Sequence, residues 1–188
     1  MANIFMKRIV TIAILAGVSA GANAAPTDEN LGTVAIGVPT SFSGSVLPAG
    51  DFNDVFSFTL PANGGSGYSV LNFPIDIPGV GSFNTLLSTM SLISNPDGIR
   101  NNGDETLLAS AVLGGNNTSD ALSLTWGPTA GGNMDLNITG MTNGTLGGLY
   151  NGSISVSAVP EPETYAMLLA GLGLMGAVVR RRSMRKPS

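Results

Sequence analysis

The sequence of 188 residues contains no cysteine and no histidine. Without them the chain cannot form a disulfide, a thiolate or imidazole metal site, a histidine-based catalytic triad or a cysteine nucleophile. Charged residues make up only 11% of the chain and aromatic residues 6%. Its 26 glycines and 11 prolines stay below the roughly 25–30% share that is typical of low-complexity chains. The composition therefore permits one folded domain without the usual side chains of redox and metal chemistry.

Basic residues lie almost entirely at the two ends of the chain. Between residues 25 and 159, Arg100 is the only basic residue, whereas ten residues are acidic, so this region carries a net charge of −9. Nucleic acids are bound largely by lysine and arginine side chains that neutralise phosphates. We therefore expect no nucleic-acid partner.

The first 24 residues have the pattern of a secretory signal peptide. Lys7 and Arg8 precede an apolar run over residues 9–18, and the small residues Ala22 and Ala24 form an Ala-Asn-Ala triplet. These three parts predict export by the general secretory route, with cleavage of the signal peptide after Ala24. A buried or membrane-spanning N-terminal helix is the alternative. The domain division that follows is a signal peptide at 1–24, an exported domain at 25–158 and a C-terminal segment at 159–188.

A second apolar run lies near the C-terminus. Residues 164–179 carry no charge and are followed directly by Arg180, Arg181 and Arg182. As a helix, the run would span roughly 24 Å, slightly less than the ~30 Å hydrocarbon core of a bilayer. Snorkelling arginines and local bilayer thinning compensate for such a deficit. A buried core helix is the alternative, but a basic flank is typical of the cytoplasmic end of a membrane span. We predict a transmembrane helix with a basic stop-transfer flank.

Pro160, Glu161 and Pro162 stand directly before this run. This order of Pro-Glu-Pro, apolar helix and arginine cluster resembles the PEP-CTERM sorting signal of Gram-negative bacteria. The resemblance implies that the chain is a substrate of exosortase, a membrane transpeptidase that cleaves near the motif as the protein passes to the cell surface, extracellular matrix or biofilm. Because two prolines fix φ and remove two backbone donors, the tripeptide is a stiff handle. An ordinary stiff linker is the alternative interpretation.

A further resemblance involves Phe52, Asp54 and Phe56, which form a Phe-x-Asp-x-Phe pattern. The pattern resembles the FxDxF group of PEP-CTERM proteins, and residues 136–140 and 147–156 are similar to the closing strands of that group. This resemblance implies a destination for the protein and defines no molecular activity.

Between the two ends, short alternating segments are separated by glycine, proline and asparagine turns. This pattern predicts an all-β exported domain, an antiparallel β-sandwich or a jelly-roll-like fold, flanked by an N-terminal signal helix and the C-terminal helix. The predicted strands are Thr33–Val38, Ser41–Leu47, Val55–Leu60, Tyr68–Phe73, Thr85–Ile93, Leu107–Leu113, Ala121–Trp126, Met134–Thr139 and Ser153–Ala158.

Asp54 has the same strand parity as Phe52 and Phe56, whose side chains we expect in the core. A carboxylate on this face is costly unless it accepts hydrogen bonds. We favour a role in which Asp54 caps the turn after Gly50-Asp51. The alternative is a cation such as Ca²⁺ shared with Asp51 and Asn53. No metal or other cofactor is expected from the rest of the sequence, and the loop acids Asp97, Asp104 and Glu105 are expected to be solvated.

No residue belongs to a catalytic motif, so we predict that the protein is not an enzyme. The leading hypothesis is an exported structural protein of the cell surface or extracellular matrix, anchored in the inner membrane before exosortase processes it. One alternative is a membrane-anchored carbohydrate-binding module, which would bind extracellular polysaccharide through exposed Trp126 or Tyr150. Another is a secreted hydrolase that uses two carboxylates in one cleft.

Overall fold

A computed structural model of the chain describes residues 27–113, 119–127, 130–159 and 162–183. The predicted signal peptide, including Ala22 and Ala24, lies outside these residues. The described elements are eleven strands and one helix: β1 Asp28–Thr33, β2 Thr40–Val46, β3 Asp51–Leu60, β4 Gly64–Asn72, β5 Ile75–Ile77, β6 Gly81–Phe83, β7 Thr85–Ser94, β8 Thr106–Val112, β9 Ala121–Trp126, β10 Gly132–Thr142, β11 Gly148–Ala158 and α1 Pro162–Ser183.

The strands form two main sheets and one small hairpin. Sheet A has the order β1-β3-β10-β7-β8, sheet B has the order β2-β11-β4-β9, and β5 pairs with β6. All pairs are antiparallel except β1 with β3, which is parallel. The predicted all-β sandwich is therefore confirmed, with one parallel pair at the edge of sheet A.

The core lies between the two sheets because apolar residues alternate along each long strand. In β3 every second side chain from Phe52 to Leu60 is buried, and β10 and β7 continue the same face with residues such as Ile138 and Met90. Aromatic side chains cross from one sheet to the other: Phe42 of β2 contacts Phe56 with ring centroids 4.5 Å apart. These contacts join the two sheets into one hydrophobic core.

The predicted strand Thr33–Val38 is wrong. Only Thr33 belongs to a strand, at the end of β1, and Ile36 forms an isolated bridge to Val156. Here the chain leaves sheet A for sheet B, since the amide of Val34 donates to Thr59 in β3 and that of Gly37 donates to Val156 in β11. Gly37 has φ +78°, a conformation that glycine adopts without the strain of a Cβ.

The other eight predicted strands overlap observed strands, mostly with extended ends. The sequence did not indicate β1, whose residues are mainly polar, or the three-residue strands β5 and β6. These elements lack the alternation on which the prediction of strands depends. β1 forms by pairing with β3, which is distant in sequence, whereas β5 and β6 pair with each other across a short turn.

Candidate functional site

The C-terminal helix α1 is exposed along its described side chains, residues 163–181. Its large apolar side chains have no cover from the β-sandwich: Met167 is 77% exposed, Leu174 is 70% and Val179 is 67%. This exposure contradicts the alternative of a buried core helix. An apolar helix without a protein cover is expected where the side chains meet lipid.

The helix is longer than the sequence predicted. It begins at Pro162 and ends at Ser183, whereas the prediction covered 164–179. Its 22 residues give a length of about 33 Å, but this length includes Glu163 and the arginines at the other end. The uncharged part is still residues 164–179, so snorkelling of the arginines is still needed to match a hydrocarbon core of ~30 Å. By length and composition, Glu163–Arg181 could cross a membrane. Proline in the first turn and an acid at position 163 suit the start of a helix, because the first amide groups have no partner and the dipole favours an anion there.

The basic flank forms the last turns of the same helix. Arg180, Arg181 and Arg182 all have helical backbone. Cationic side chains at this end of a helix complement its dipole and hold the end in the headgroup region. Of the Pro-Glu-Pro handle, Pro162 begins α1, whereas Pro160 and Glu161 lie outside the described residues.

The Phe-x-Asp-x-Phe residues of β3 surround the side chain of Tyr150 on the facing strand β11. The Phe52 ring stacks on that of Tyr150 with centroids 5.5 Å apart, and the Phe56 ring meets it edge-on at 6.4 Å. Between them, Oδ2 of Asp54 accepts the Tyr150 hydroxyl at 2.5 Å. We call these four residues the tyrosine clamp. The clamp joins sheet A to sheet B through a hydrogen bond and two aromatic contacts.

Asp54 is fully buried, and both of its oxygens accept hydrogen bonds. Oδ1 accepts the backbone amide of Thr27 at 2.6 Å, just before β1 begins. Burial raises the pKa of Asp54, and the bonds from Tyr150 and Thr27 oppose this shift. Burial and the neighbouring Asp54 raise the pKa of Tyr150. The expectation that this carboxyl must be hydrogen-bonded is thus met, by partners distant in sequence.

Both roles considered for Asp54 are wrong. The turn at Gly50 is capped by Thr142, whose hydroxyl accepts the Gly50 amide at 2.9 Å. Asp51 and Asn53 are exposed whereas Asp54 is buried, because neighbouring residues of β3 point to opposite faces. The side-chain oxygens of Asp51, Asn53 and Asp54 therefore cannot bind one cation together.

Space for the tyrosine clamp is provided by a glycine on the neighbouring strand β2. A Cβ at Gly44 would lie 2.2 Å from Cζ of Tyr150 and 2.4 Å from its hydroxyl oxygen. Tyr150 crosses the core only because this position has no side chain. The pattern of glycines in the sequence gave no reason to select Gly44.

A second polar site lies on the outer face of sheet A, under the loop between β7 and β8. Asp135 of β10 is 4% exposed; it accepts Ser57 Oγ at 2.5 Å and Asn95 Nδ2 at 2.8 Å. Arg100 in the loop pairs with Asp28 of β1 at 2.9 Å. These bonds attach the loop to the sheet and border a groove of about 330 Å³. In the described part of the chain, the Oδ1 atoms of Asn95 and Asn137 are buried without a partner.

The acids of this loop hold its backbone. Asp97 accepts the amide of Ile99 at 2.8 Å, and Glu105 accepts those of Asn102 and Gly103 at 3.2 and 3.0 Å. Backbone hydrogen bonds, first of all from its own amide, lower the pKa of Glu105. Among the described residues, no group of three or more histidine, cysteine or acidic side chains is placed to hold a metal ion.

The two aromatic residues proposed for sugar stacking are not exposed platforms. Tyr150 is 1% exposed and forms the tyrosine clamp, while Trp126 is partly buried against the core. The version of the carbohydrate-binding hypothesis that depends on these two rings is therefore wrong. An exposed aromatic residue that the sequence did not indicate is Phe73, which is 52% exposed at the end of β4.

Comparison with family models identifies the C-terminal segment. The PEP-CTERM protein-sorting motif matches residues 158–182, which include the end of β11, the Pro-Glu-Pro handle and most of α1. The C-terminal segment is a PEP-CTERM sorting motif. The resemblance recognised in the sequence is thus confirmed for the motif, whereas the FxDxF group remains a prediction.

No curated protein matches the chain. Among solved structures, the pre-peptidase C-terminal domain of collagenase from Bacillus anthracis is 19% identical, with a TM-score of 0.33; the match covers 72% of this chain and 100% of that chain. PliG of Salmonella Typhimurium, a periplasmic inhibitor of g-type lysozyme, is 16% identical with a TM-score of 0.33, and the match covers 70% and 99% of the two chains. Similarities at this level do not bear on the function of this chain.

Proposed function

We propose that this protein is a structural component of the cell surface or extracellular matrix, delivered there by exosortase. The PEP-CTERM motif supports export and sorting by that enzyme. The signal peptide at 1–24 would direct the chain across the inner membrane, and α1 would hold it there until processing near Pro160–Pro162. The β-sandwich is then the part that is delivered.

The observation that carries this proposal is the exposed apolar helix within the matched motif. The helix follows β11 after three residues, and its described side chains are left uncovered by the sandwich. A helix that served the stability of the domain would bury one face. A sorting anchor needs no such contact, because lipid covers the helix until it is removed.

The chemistry of the domain supports a structural role over an enzymatic one. The groove on sheet A is lined by three acids, Asp28, Glu29 and Asp135, whereas the hydrolase alternative requires two. Asp28 is paired with Arg100, however, and both oxygens of Asp135 accept hydrogen bonds. Asp28 and Asp135 thus attach a loop to the sheet. A carboxylate hydrolase needs two carboxyl groups directed at the substrate, and of the acids that the structure describes in this groove only Glu29 lacks such a structural bond.

Intact-mass measurement of the surface-released protein tests the proposal. In cells that contain exosortase, we expect a chain that begins after Ala24 and lacks α1; in cells without the enzyme, α1 remains and the protein stays in the membrane fraction. Release with residues 165–188 still attached would contradict processing at the motif.

A variant pair makes the test specific to the handle. Pro160→Ala combined with Pro162→Ala removes both fixed φ angles and restores two backbone donors, so we expect unprocessed protein to accumulate. Pro78→Ala, at an exposed position next to β5, is the matched control and should be processed normally. Equal processing of both variants would show that the handle is an ordinary linker.

A further inference from the structure

Only three residues connect the β-sandwich to the C-terminal helix. β11 ends at Ala158 and α1 begins at Pro162, so even a fully extended connection keeps these two residues within about 14 Å of each other. The basic flank places the start of α1 on the exported side of the bilayer, where the headgroup layer is roughly 5–8 Å thick. While α1 spans the membrane, the end of the sandwich that contains Ala158 therefore lies within reach of the lipid surface.

The strand registers show which connections share this end of the sandwich. Ala158 is paired with the first residue of β4, so the turn between β3 and β4, residues 61–63, lies beside it. On the other side of β11, the connection between β1 and β2, residues 34–39, meets the strand at Val156, with which Ile36 forms a bridge. Two connections thus flank the last residues of β11.

Exposed apolar side chains surround the end of β11. Ile36 and Val38 of the β1–β2 connection are 46% and 59% exposed, and Val159, directly after the strand, is 39% exposed. We call these three residues the anchor rim. Backbone hydrogen bonds hold them in place, because the amide of Gly37 donates to β11 at 2.8 Å and that of Val159 donates to the β3–β4 turn at 3.2 Å.

The surroundings of the anchor rim carry no charge. The segments 34–39, 61–63 and 158–159 contain no acidic or basic residue, although residues 25–159 carry a net charge of −9. The acids at the same end of sheet A belong to the loop between β7 and β8, and the ion pair of this loop with β1 holds it on the side opposite to sheet B. Because a charged side chain is costly to bring against lipid, a neutral rim can approach the bilayer where the rest of the domain cannot.

The opposite end of the sandwich also has exposed apolar side chains, such as that of Leu47. That end is acidic, however, since Asp51, Asp76 and Asp120 all lie at it. The length of β11, roughly 34 Å, separates it from the end that is tethered to α1. Position and charge together therefore distinguish the anchor rim from the other exposed apolar residues.

We propose that the anchor rim rests on the lipid headgroups while α1 is in the membrane, with its apolar side chains inserted between them. This inference rests on the proposed function, because it requires α1 as the membrane anchor. Each side chain contributes little alone, but the tether makes the encounter intramolecular, so a few apolar contacts are sufficient. The contact fixes the Pro-Glu-Pro handle between the sandwich and the lipid, where a membrane enzyme can reach it.

Site-specific fluorescence tests the contact in the full chain, reconstituted into vesicles of phosphatidylethanolamine and phosphatidylglycerol. Because the chain has no cysteine, Val38→Cys can be labelled at one position with the environment-sensitive fluorophore NBD. Leu47→Cys is the matched control, since its side chain is also more than half exposed but lies at the opposite end. A lipid with a nitroxide on its headgroup should quench the label at position 38 about threefold more strongly, because β2 separates the two positions by roughly 20 Å and an interfacial side chain enters lipid by only about 5–10 Å.

A second substitution tests whether the contact depends on apolar side chains. Ile36→Asp adds a carboxylate to the rim, so we expect quenching of the label at position 38 to fall about twofold. Val80→Asp adds the same charge at an exposed position of the opposite end and should leave the quenching unchanged. Equal urea midpoints of the two aspartate variants, followed by the fluorescence of Trp126, show that the fold is intact.

Equal quenching at positions 38 and 47, or unchanged quenching in Ile36→Asp, would overturn the proposal. A label at Leu172→Cys, read with a nitroxide in the acyl chains, reports the insertion of α1 separately. Quenching there without quenching at position 38 would refute the lipid contact and leave the anchor intact, whereas quenching at neither position would contradict the membrane anchor as well. A blue shift of the label at position 38 without quenching would overturn the proposal and assign the rim to a protein partner: a second copy of the chain if the shift requires a high ratio of protein to lipid, or exosortase if it requires that enzyme in the vesicles.

Discussion

Replacement of Asp54 gives a sharp test of the tyrosine clamp. In Asp54→Ala, the hydroxyl of buried Tyr150 and the amide of partly buried Thr27 both lose their acceptor. An unsatisfied buried donor costs about 1–3 kcal/mol, less where water can reach it. We therefore expect the free energy of unfolding to fall by about 2–4 kcal/mol, a large part of the roughly 5–15 kcal/mol that is typical of a domain.

Asp54→Asn provides the matched comparison. The amide oxygen can accept the Thr27 amide, and its NH₂ group can donate to the Tyr150 hydroxyl, so both partners keep a hydrogen bond. The variant also avoids the burial of a charge. At pH 7 we expect its stability to lie within about 1 kcal/mol of the wild-type value.

The pH dependence of stability further distinguishes the wild type from Asp54→Asn. Burial raises the pKa of Asp54 in the folded state above its usual value of 3.8. The folded state therefore takes up a proton before the unfolded state does as the pH falls. The stability of the wild type should rise relative to that of Asp54→Asn as the pH drops through the raised pKa of the folded state. This relative gain is complete once the pH falls below the pKa that Asp54 has in the unfolded chain. Other carboxylates affect both proteins equally, so the difference isolates Asp54.

Urea unfolding of the full chain in detergent, followed by fluorescence of Trp126, measures these differences. Trp126 is the only tryptophan and packs against the core. Equal losses for the alanine and asparagine variants would refute the reasoning, since they would show that the carboxylate charge, which both variants lack, is what matters and not the pair of hydrogen bonds that asparagine can keep. A pH-independent difference between wild type and Asp54→Asn would refute the raised pKa.

Three further predictions follow from other contacts. Gly44→Ala places a Cβ 2.2 Å from the Tyr150 ring, so we expect a loss of about 1–3 kcal/mol from overpacking; an unchanged urea midpoint would show that the ring can move aside. Asp28→Ala frees the loop around Arg100, the only tryptic site between residues 9 and 179. Limited trypsin cleavage at Arg100 should become at most about fivefold faster, because an exposed ion pair contributes about 0–1 kcal/mol. The effect should shrink in high salt, and identical cleavage rates of wild type and variant at low salt would contradict it. Leu172→Arg puts a charge at the middle of α1, which costs about 2.5–3.5 kcal/mol in a bilayer, so carbonate should extract the unprocessed variant from membranes. The control Val179→Arg, beside the basic flank, should remain in the membrane. Equal extraction of the two variants would argue against a membrane span.

The tyrosine clamp gives a physical account of the Phe-x-Asp-x-Phe pattern. The two phenylalanines and the aspartate alternate in β3 and so reach the core together, where they enclose one tyrosine of the facing sheet. Asp54 also bonds the amide that precedes β1. The pattern thus joins three segments of the sandwich, which is a structural role and requires no ligand.

The sequence alone was sufficient for the features that depend on local pattern. Alternation identified eight strands because side chains on a strand repeat every two residues, and the same parity placed Asp54 in the core. The PEP-CTERM motif was recognisable because its handle, helix and arginines are contiguous. The sequence also showed that the middle of the chain is acidic, since nearly all basic residues lie at the two ends.

Tertiary structure decided what depends on residues far apart in the chain. Asp54 was assigned to a nearby turn, yet its partners are Tyr150, 96 residues away, and Thr27, 27 residues away. The anchor rim combines residues 36 and 38 with residue 159, and only the pairing of the β1–β2 connection with β11 brings them to one end of the sandwich. Strand parity gives the face on which a side chain lies, but only the order and register of the strands determine which side chains become neighbours, and those follow from packing of the whole core.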